Sequence, residues 1–267
     1  MSTSLALEGV SIGYDGEELV GGIDLELRKG SITCLMGPNG VGKTTLFKTI
    51  LGLLPPLRGR VLVEGCDFTR MSCEKIARSI AHVPQAYQGD PTHTVVDIVV
   101  MGRTAHLGLF GTPQRRDYAA AHHALEELGI AGLAARTVDR ISGGQRQLML
   151  IARALTQETP VILMDEPAAS LDLGNRLALL DRVRALAARG LSLLVSTHEP
   201  EHAFEIADRV AVMGCERHFE VGTVEGILTP CRLGELYGIG LALETTPSGR
   251  RVVTRAATVS NIPECVC

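Results

Sequence analysis

A glycine-rich stretch near residue 40 constrains the fold more than any other feature of this chain. It reads GPNGVGKTT and fits the pattern G-x-x-x-x-G-K-[ST], in which glycines let consecutive backbone N–H groups surround phosphate oxygens. We expect Lys43 to reach the β- and γ-phosphates of a nucleotide and the Thr44 hydroxyl to ligate Mg²⁺. Alone, the motif predicts only a nucleotide phosphate site, formed by Gly37, Pro38, Asn39, Gly40, Val41, Gly42, Lys43, Thr44 and Thr45.

The residues on either side of the loop supply the context that this motif requires. The apolar run 31–36 predicts a buried strand that leads into the loop, and residues 44–54 predict a helix after it. Gly52 and the Pro55-Pro56 pair are expected to end this helix. A strand, a glycine-rich loop and a helix in this order support a true phosphate-binding loop.

The rest of the chain indicates an α/β fold. Residues 5–27 alternate short apolar runs with two turn signals, Tyr14-Asp15-Gly16 and Gly21-Gly22, which predicts antiparallel strands. Residues 91–154 are mostly helical in pattern, and later strands and helices alternate, as in a parallel sheet covered by helices. We therefore expect a phosphate-loop NTPase core with a mostly parallel sheet, an N-terminal antiparallel β part and an inserted helical subdomain. The other predicted elements are strands at 59–64, 161–164, 192–196, 209–213 and 251–254, and helices at 94–101, 117–128, 145–155, 173–188 and 200–206.

An Asp-Glu pair follows the buried strand predicted at 161–164. Ligands bind outside the carboxyl ends of such strands in open α/β sheets. In phosphate-loop ATPases an aspartate at this place helps to hold Mg²⁺, so we assign Asp165 to the metal. Glu166 is then placed to orient or deprotonate the water that attacks the γ-phosphate. The alternative is a solvated acidic pair before Pro167, and the upstream glycine-rich loop favours the catalytic interpretation.

A glycine pair opens the helix predicted at 145–155. Ser142 is placed to cap that helix. Unpaired amides at a helix N-terminus, with glycines that allow close approach, suit an anion such as a γ-phosphate. A simple Gly-Gly turn that enters a helix is the alternative. The candidate nucleotide-binding residues of this segment are Ser142, Gly143, Gly144 and Gln145.

The glycine-rich loop, the Ser-Gly-Gly-Gln segment and the Asp-Glu pair, in this order, resemble the ATP-binding-cassette (ABC) ATPases, the motor subunits of ABC transporters. The segment 141–147 resembles the family's signature LSGGQ, with Ile141 in place of leucine. In that family the signature serves the nucleotide held by the other subunit. The resemblance therefore implies ATP and Mg²⁺ as cofactors and a head-to-tail dimer with two composite sites, formed by a homodimer or with another ABC subunit.

The resemblance extends to four smaller markers between residues 14 and 200. Tyr14 corresponds to the aromatic residue that stacks on adenine, and Gln85 to the glutamine that meets Mg²⁺ or water and relays the transporter's state. Ser170-Leu171-Asp172 corresponds to a loop that contacts the partner subunit, and His198 to the histidine that contacts the γ-phosphate. Alone, each would be an ordinary turn tyrosine, loop glutamine, helix cap or structural histidine. Their order along the chain favours the family roles.

The chain departs from the family pattern at two places and resembles one branch of the family. Pro167-Ala168-Ala169 replaces Pro-Thr-Ser, and Glu199 replaces an aspartate after the histidine, but neither change removes a group assigned to chemistry. The stretches 103–110 and 171–175 resemble importers of iron-siderophore complexes, haem, cobalamin and some oxyanions. Two further stretches resemble molybdate or tungstate members of that branch, namely 148–151 and 197–200.

Charge and composition argue against other classes of protein. The net charge is −4 and aromatic residues make up 3% with no Trp, so no nucleic-acid partner is expected. No apolar run reaches the roughly 18 residues of a membrane-spanning helix. Seven scattered cysteines fit a reducing compartment, and Cys265 and Cys267 are too few for a metal site. The resemblance to importer motor subunits then implies a peripheral protein on the cytoplasmic face of the inner (cell) membrane.

The function that the resemblance implies is ATP hydrolysis that energises a bacterial-type importer for an iron chelate (siderophore or haem), cobalamin or a related metal or oxyanion. The catalytic candidates are Lys43, Gln85, Glu166 and His198, and the metal candidates are Thr44, Gln85 and Asp165. The expected partners are transmembrane permease subunits and, indirectly, a periplasmic or extracellular solute-binding protein. The predicted domains are an ABC ATPase domain at 1–240, with a core at 1–85 and 155–240 and a helical subdomain at 86–154, and a C-terminal extension at 241–267.

Three other functions remain open at this point. The same motifs serve exporters, which the sequence does not separate from importers. A non-transport ABC ATPase would usually carry tandem cassettes or coiled-coil insertions, whereas this chain has one set of motifs and no sustained heptads. For a phosphate-loop kinase, the signature segment and His198 would be accidents. The transported molecule is not readable, because motor subunits of the family contact the transporter and not its cargo.

Overall fold

Strands and helices alternate along most of the chain, of which the computed structural model describes residues 2–108, 111–169, 171–214 and 218–256. The first part contains β1 (Thr3–Tyr14), β2 (Glu17–Arg28), β3 (Ile32–Met36), α1 (Lys43–Ile50), β4 (Arg58–Val63), β5 (Cys66–Asp67), α2 (Cys73–Ala77) and β6 (Ile80–Val83). Next come α3 (Val95–Val100), α4 (Arg115–Glu127), α5 (Gly143–Leu155), β7 (Val161–Met164), α6 (Leu173–Ala188), β8 (Ser192–Thr197) and α7 (Pro200–Ile206). The last part contains β9 (Arg209–Met213), β10 (Phe219–Gly222), α8 (Val224–Ile227), α9 (Pro230–Tyr237), β11 (Leu241–Thr245) and β12 (Arg251–Arg255).

Two sheets form the body of the molecule. The N-terminal sheet has the order β2-β1-β4-β5 and is antiparallel throughout. The larger sheet has the order β10-β9-β3-β8-β7-β6, in which five strands run parallel and β10 pairs antiparallel with β9. The predicted α/β class, with a mostly parallel sheet and an antiparallel N-terminal part, is confirmed.

The larger sheet is buried on both faces, because successive strand residues point to opposite sides. Along β3, Cys34 and Met36 join the core beneath the helices, whereas Leu35 joins the core shared with α1 and the N-terminal sheet. Along β7, Met164 and Leu163 divide in the same way. Burial on both faces explains why these strands read as continuous apolar runs in the sequence. Because these five strands run parallel, their carboxyl ends lie at one edge of the sheet.

In the described part of the stretch between β6 and β7 there are three α-helices, α3, α4 and α5. Thr94 and Asp97 form a capping box at the start of α3, which explains where that helix begins. Arg103 lies 3.2 Å from the buried carboxylate of Asp117 at the start of α4. The Gln114 backbone N–H, followed by the hydrogen bond from Arg103, holds the pKa of Asp117 below its ordinary value despite burial. The helices predicted in this region are confirmed, with ends that differ by a few residues.

Other details of the sequence prediction differ from the structure. Asp15-Gly16 does turn between β1 and β2, but Gly21-Gly22 is not a turn. The glycine pair lies inside β2, where the pairing with β1 shifts register by one residue, so it forms a bulge. The helix predicted at 44–54 ends at Ile50, because the chain turns at Gly52 with φ of +71°. Several short elements were not predicted, namely β5, α2, β6, β10, α8, α9 and β11.

The described helices include none that is both long enough and apolar enough to cross a bilayer. Phe110, Ser170, Cys265 and Cys267, which figured in the sequence predictions, lie outside the described residues.

Candidate nucleotide site

Glycines shape the loop between β3 and α1. A Cβ atom on Gly37 would lie 2.4 Å from the carbonyl oxygen of Met213 on β9, so no side chain fits there. Gly42 caps α1 with φ of +116°, a value that other residues rarely adopt. The motif's first and last glycines are therefore required by backbone geometry. The loop passes directly against the end of a neighbouring strand and into the N-terminus of α1.

Lys43 is the first residue of α1, and its side chain is 8% exposed. The ammonium donates hydrogen bonds to the carbonyl oxygens of Gly37 at 2.7 Å and Pro38 at 3.0 Å. Burial lowers the pKa of Lys43, while the carboxylates of Glu166 and Asp165 oppose that shift. The charged end of Lys43 is thus held inside the curve of the glycine-rich loop.

The two threonines after Lys43 face different surroundings. Thr44 is exposed, whereas Thr45 is buried and donates a hydrogen bond from Oγ1 to the Tyr14 hydroxyl at 3.2 Å. Tyr14 ends β1 and remains 43% exposed, so its ring lies at the surface beside the glycine-rich loop. This position fits a ring that packs against a bound base, with its hydroxyl fixed to α1.

Ser196 joins the Asp-Glu pair to the neighbouring strand. It lies on β8 with no exposed surface, and its hydroxyl donates to Asp165 Oδ1 at 2.7 Å. The Ser196 Oγ atom in turn accepts a hydrogen bond from the backbone N–H of Glu166 at 2.8 Å. One hydroxyl therefore orients the carboxylate of Asp165 and fixes the turn after β7. Ser196 was not predicted; its signal in the sequence is a hydroxyl residue directly after the apolar residues 193–195 of the strand.

The Glu166 carboxylate is where the predicted site residues meet. His198 Nδ1 lies 3.3 Å from Oε2, and Gln85 Nε2 donates to the same oxygen at 3.4 Å. Lys43 Nζ lies 3.9 Å from Oε1. These residues follow β3, β6, β7 and β8, so the shared edge of the parallel sheet brings them together, as expected for open α/β sheets. The Glu166 side chain is 13% exposed and the His198 side chain 46% exposed.

The backbone of Glu166 is also unusual. Its φ is +43°, in the left-handed region that residues other than glycine rarely occupy. Such a conformation costs about 1–3 kcal/mol and persists only where neighbouring contacts enforce it. The bond from the Glu166 N–H to Ser196 is one such contact. The turn that places the carboxylate among Lys43, Gln85 and His198 is therefore held at an energetic cost.

The oxygen atoms near the loop suit Mg²⁺. Mg²⁺ is usually bound by one or two carboxylates together with substrate phosphates and water, and it prefers oxygen ligands. Thr44 offers an exposed hydroxyl, Asp165 a carboxylate oriented by Ser196, and Gln85 an exposed amide. This donor set fits the ion.

The Ser-Gly-Gly-Gln segment is arranged differently. Ser142 caps α5, accepting the Gln145 N–H at 3.2 Å, while Gln145 Oε1 accepts the Ser142 N–H at 3.0 Å, which confirms the predicted cap. Ile141 is buried beneath this turn, whereas Ser142 and Gly143 are exposed. Among the described residues, no hydrogen bond or ion pair joins the segment to the glycine-rich loop or to Glu166. Within one chain, the structure therefore does not bring the predicted residues Ser142–Gln145 into contact with the glycine-rich loop or Glu166.

The start of α6 lies beside that segment. A Cβ atom on Gly144 would lie 3.3 Å from Cγ of Asn175. Asp172 caps α6 by accepting the Asn175 N–H at 2.9 Å, and this bond is the main reason why the pKa of Asp172 is lowered. Leu173 is 65% exposed on the same turn. The two helix starts form one exposed surface.

Comparison with known proteins places this geometry in context. A family model described as "ABC transporter" matches residues 20–169. A Haemophilus influenzae protein described as an uncharacterized ABC transporter ATP-binding protein is 40% identical over 87% of this chain and 89% of its own length. The iron(3+)-hydroxamate import ATP-binding protein FhuC of Bacillus subtilis is 34% identical over 94% of this chain and 93% of its own.

Solved structures give the same answer for the fold. A structure described as an inward-facing conformation of a metal-chelate type ABC transporter has a TM-score of 0.83 and 32% sequence identity. The match covers 95% of this chain and 98% of the chain in that structure.

Proposed function

This chain belongs to the ABC transporter family, and from that premise we propose that it is the ATP-hydrolysing subunit of an importer. Its cargo would be an iron chelate, cobalamin or a related metal complex or oxyanion. The observation that carries the proposal is the convergence of Lys43, Gln85 and His198 on the Glu166 carboxylate beside the glycine-rich loop.

Each residue of the site has a distinct task in this proposal. The loop Gly37–Thr45 surrounds the phosphates, with Lys43 on the β- and γ-phosphates and the Tyr14 ring on the adenine. Glu166 accepts a proton from the attacking water or orients it. His198 contacts the γ-phosphate, and Gln85 senses the nucleotide from the strand end next to Glu166. Groups fixed in advance around developing charge supply most of the rate enhancement in such sites.

The metal would be held by this chain's oxygen ligands. Thr44 and Asp165 would bind Mg²⁺, and Gln85 would meet it directly or through water. When bound, Mg²⁺ neutralises charge on the β- and γ-phosphates. Ser196 keeps the Asp165 carboxylate turned toward that place through its hydrogen bond.

The second half of the nucleotide site would come from another subunit. Ser142, Gly143, Gly144 and Gln145 form an exposed helix N-terminus suited to an anion. We propose a head-to-tail dimer, formed with a second copy or with another ABC subunit, in which this surface covers the γ-phosphate held by the partner. The exposed start of α6 at Asp172 and Leu173 would join the same interface.

ABC ATP-binding subunits of importers work with transmembrane permease components, and we propose that this chain does so at the cytoplasmic face of the membrane. The permease would dock near Gln85 and the surface of residues 86–109. We divide the chain into an ATPase core, a helical subdomain at 86–154 and a C-terminal extension from residue 241. A solute-binding protein would act through the permease, and the metal-chelate class of cargo follows from the relatives reported above.

The substitution Glu166→Gln tests the chemical assignment. It keeps the size and hydrogen-bonding reach of the side chain but removes the base. We expect ATP hydrolysis to fall at least about 100-fold, while ATP still binds and the dimer accumulates. Size-exclusion chromatography with light scattering measures the dimer, and phosphate release measures the rate.

Glu64→Gln is the matched control, because Glu64 is also a glutamate with positive φ, of +48°, but it lies in the turn between β4 and β5. It should hydrolyse ATP like the parent protein. If Glu166→Gln also keeps the parent rate, Glu166 does not act on the attacking water.

Reconstitution tests the direction of transport. The chain is combined with its co-encoded permease in liposomes, and hydrolysis is measured with a cargo-loaded solute-binding protein on the far side. An importer subunit should be stimulated by that loaded protein. Stimulation only by a compound supplied on the ATPase side would instead identify an exporter.

A further inference from the structure

The peptide that follows His198 is held on both sides. Its carbonyl oxygen, that of His198, accepts a hydrogen bond from the Tyr237 hydroxyl at 2.6 Å. Its N–H, that of Glu199, donates to Thr197 Oγ1 at 3.1 Å. A peptide with both polar groups bonded has a fixed plane, and this plane sets the ψ angle of His198. The direction of the His198 side chain therefore depends on a contact 39 residues away in sequence.

Tyr237 is itself well supported. It is the last residue of α9. Leu233, four residues earlier on the same face of that helix, is 1% exposed and belongs to the core beneath the helices, with Cys34 and Met36. The Tyr237 ring packs against the same core. Burial, followed by the charges of Glu201 and Glu199, raises the pKa of Tyr237 to about 12. The hydroxyl thus remains protonated and able to donate at physiological pH.

The β11–β12 hairpin contacts α7, the helix that follows His198 in the chain. Glu201 Oε1 accepts the backbone N–H of Val253 at 3.1 Å, and Arg250 lies 3.1 Å from the Glu205 carboxylate. The Arg251 guanidinium lies 5.7 Å from the centre of the Phe204 ring. All three contacts are made to α7, which begins two residues after His198. Residues 230–255 therefore fix both the His198 peptide and the helix that follows it.

Few polar contacts between described residues restrain the His198 side chain. It is 46% exposed, and its Nδ1 lies 3.3 Å from Glu166 Oε2. A side chain of this kind depends on its backbone for direction, and a shift of about 1 Å in a positioning group can cost roughly 100-fold in rate.

We infer that the segment 230–255 is a brace that positions His198 for contact with the γ-phosphate, with Tyr237 as the positioning residue. This rests on the proposed role of His198 and assigns a task to the end of the chain. The brace acts on hydrolysis and not on nucleotide capture, because it touches neither the glycine-rich loop nor Tyr14 in the described residues.

Tyr237→Phe tests the inference, because it removes only the hydroxyl and keeps the ring in the core. We expect kcat for ATP hydrolysis to fall about threefold to tenfold, as for the loss of one good hydrogen bond, with the KM for ATP unchanged. Tyr118→Phe makes the same chemical change at an exposed tyrosine on α4 and should match the parent protein. Unfolding in urea checks that both variants are folded.

Histidine-labelled NMR supplies the readout that a merely structural role would not give. The His198 ring signals are identified by their loss in His198→Ala. They should shift or broaden in Tyr237→Phe and remain in place in Tyr118→Phe. An unchanged kcat, or a lowered kcat with unchanged His198 signals, overturns the brace.

The same set of variants separates this inference from the proposed function. If His198→Ala hydrolyses ATP like the parent protein, the assigned role of His198 is wrong and the brace loses its purpose. If His198→Ala loses activity and Tyr237→Phe does not, the role of His198 stands and the brace alone is wrong.

Discussion

The two surfaces assigned to the nucleotide differ sharply in how they are built. Around Glu166, the side chains of Lys43, Gln85 and His198 each lie 3.3–3.9 Å from its carboxylate, and Lys43 and Glu166 are largely buried. Around Ser142, the side-chain hydrogen bonds between described residues stay within the first turn of α5, and Ser142 and Gly143 are exposed. The fold of one chain assembles the surface around Glu166. The surface around Ser142 is an exposed helix N-terminus whose shape is fixed by its own cap.

This difference bears on how hydrolysis would be controlled. The surface around Glu166 is already assembled in a single chain, so one chain can bind nucleotide. If that surface were also sufficient for catalysis, the chain would hydrolyse ATP without coupling it to a partner. A capped and exposed helix N-terminus has unpaired N–H groups that an anion can use. In the proposed dimer, separating the two surfaces would make catalysis depend on a second subunit. Variants on each surface should consequently fail in different ways.

The largest effect on the exposed surface is expected for Gly143→Ala. A Cβ atom there meets no atom within 4 Å, so the monomer should fold normally and its helix should gain up to about 1 kcal/mol. The methyl group would stand where a partner's phosphate must approach. We expect hydrolysis to fall at least about tenfold while binding of fluorescent ATP to the isolated chain is unchanged.

Gly132→Ala is the control for that variant, since its Cβ atom also meets nothing within 4 Å in a turn after α4. It should hydrolyse at the parent rate. Weaker nucleotide binding by the isolated Gly143→Ala chain would contradict the separation, because it would place the signature segment in the same chain's site.

The second prediction compares two buried serines on one strand. Ser196→Ala removes the hydroxyl that joins Asp165 to the Glu166 N–H, and Ser192→Ala removes the bond to Ser4 at the far end of β8. Each should lower the free energy of unfolding by about 1–3 kcal/mol, because a buried partner is left unsatisfied. Only Ser196→Ala should also lower kcat, by roughly tenfold.

Urea unfolding and phosphate release on the same preparations measure both quantities. Equal losses of kcat in the two serine variants would mean that general destabilisation, and not the orientation of Asp165 and Glu166, limits hydrolysis.

Much of the assembled surface could be predicted from the sequence, partly because its residues follow buried strands and, for Gln85 and His198, because of the resemblance to the family. Once the runs before Gly37, Asp165 and His198 read as parallel strands, the geometry of a sheet brings their carboxyl ends to one edge. The capped helix start at Ser142 was equally readable, because a Ser cap with Gln three residues later is a local signal. Gly21-Gly22 misled because a bulge and a turn use the same residues.

The contacts that hold the site in place could not be read in advance. Ser196 and Tyr237 act through partners 31 and 39 residues away, and no local pattern records which hydroxyl will meet which peptide group. The short strands β10 and β11 lack clear periodicity, because their residues are only partly buried or exposed. Tertiary packing decides these features, and propensity does not.

The smallest predicted effect concerns pH and again separates the two surfaces. His202 on α7 contacts Thr197 Oγ1 at 3.0 Å and lies 3.2 Å from the Glu199 carboxylate, and burial lowers its pKa below the ordinary 6.5, against the opposing charge of Glu199. As the pH falls, the unfolded chain therefore binds this proton before the native protein does. The stability that depends on neutral His202 is fully present above about pH 6.5 and declines as the pH falls.

Amide hydrogen exchange, corrected for intrinsic rates, should show α7 opening more at pH 5.5 than at pH 7.5, relative to α5. His202→Gln should remove that difference, and His122→Gln, at an exposed site on α4, should keep it. If α7 opens as much at low pH in His202→Gln as in the parent protein, a group other than His202 causes the acid response.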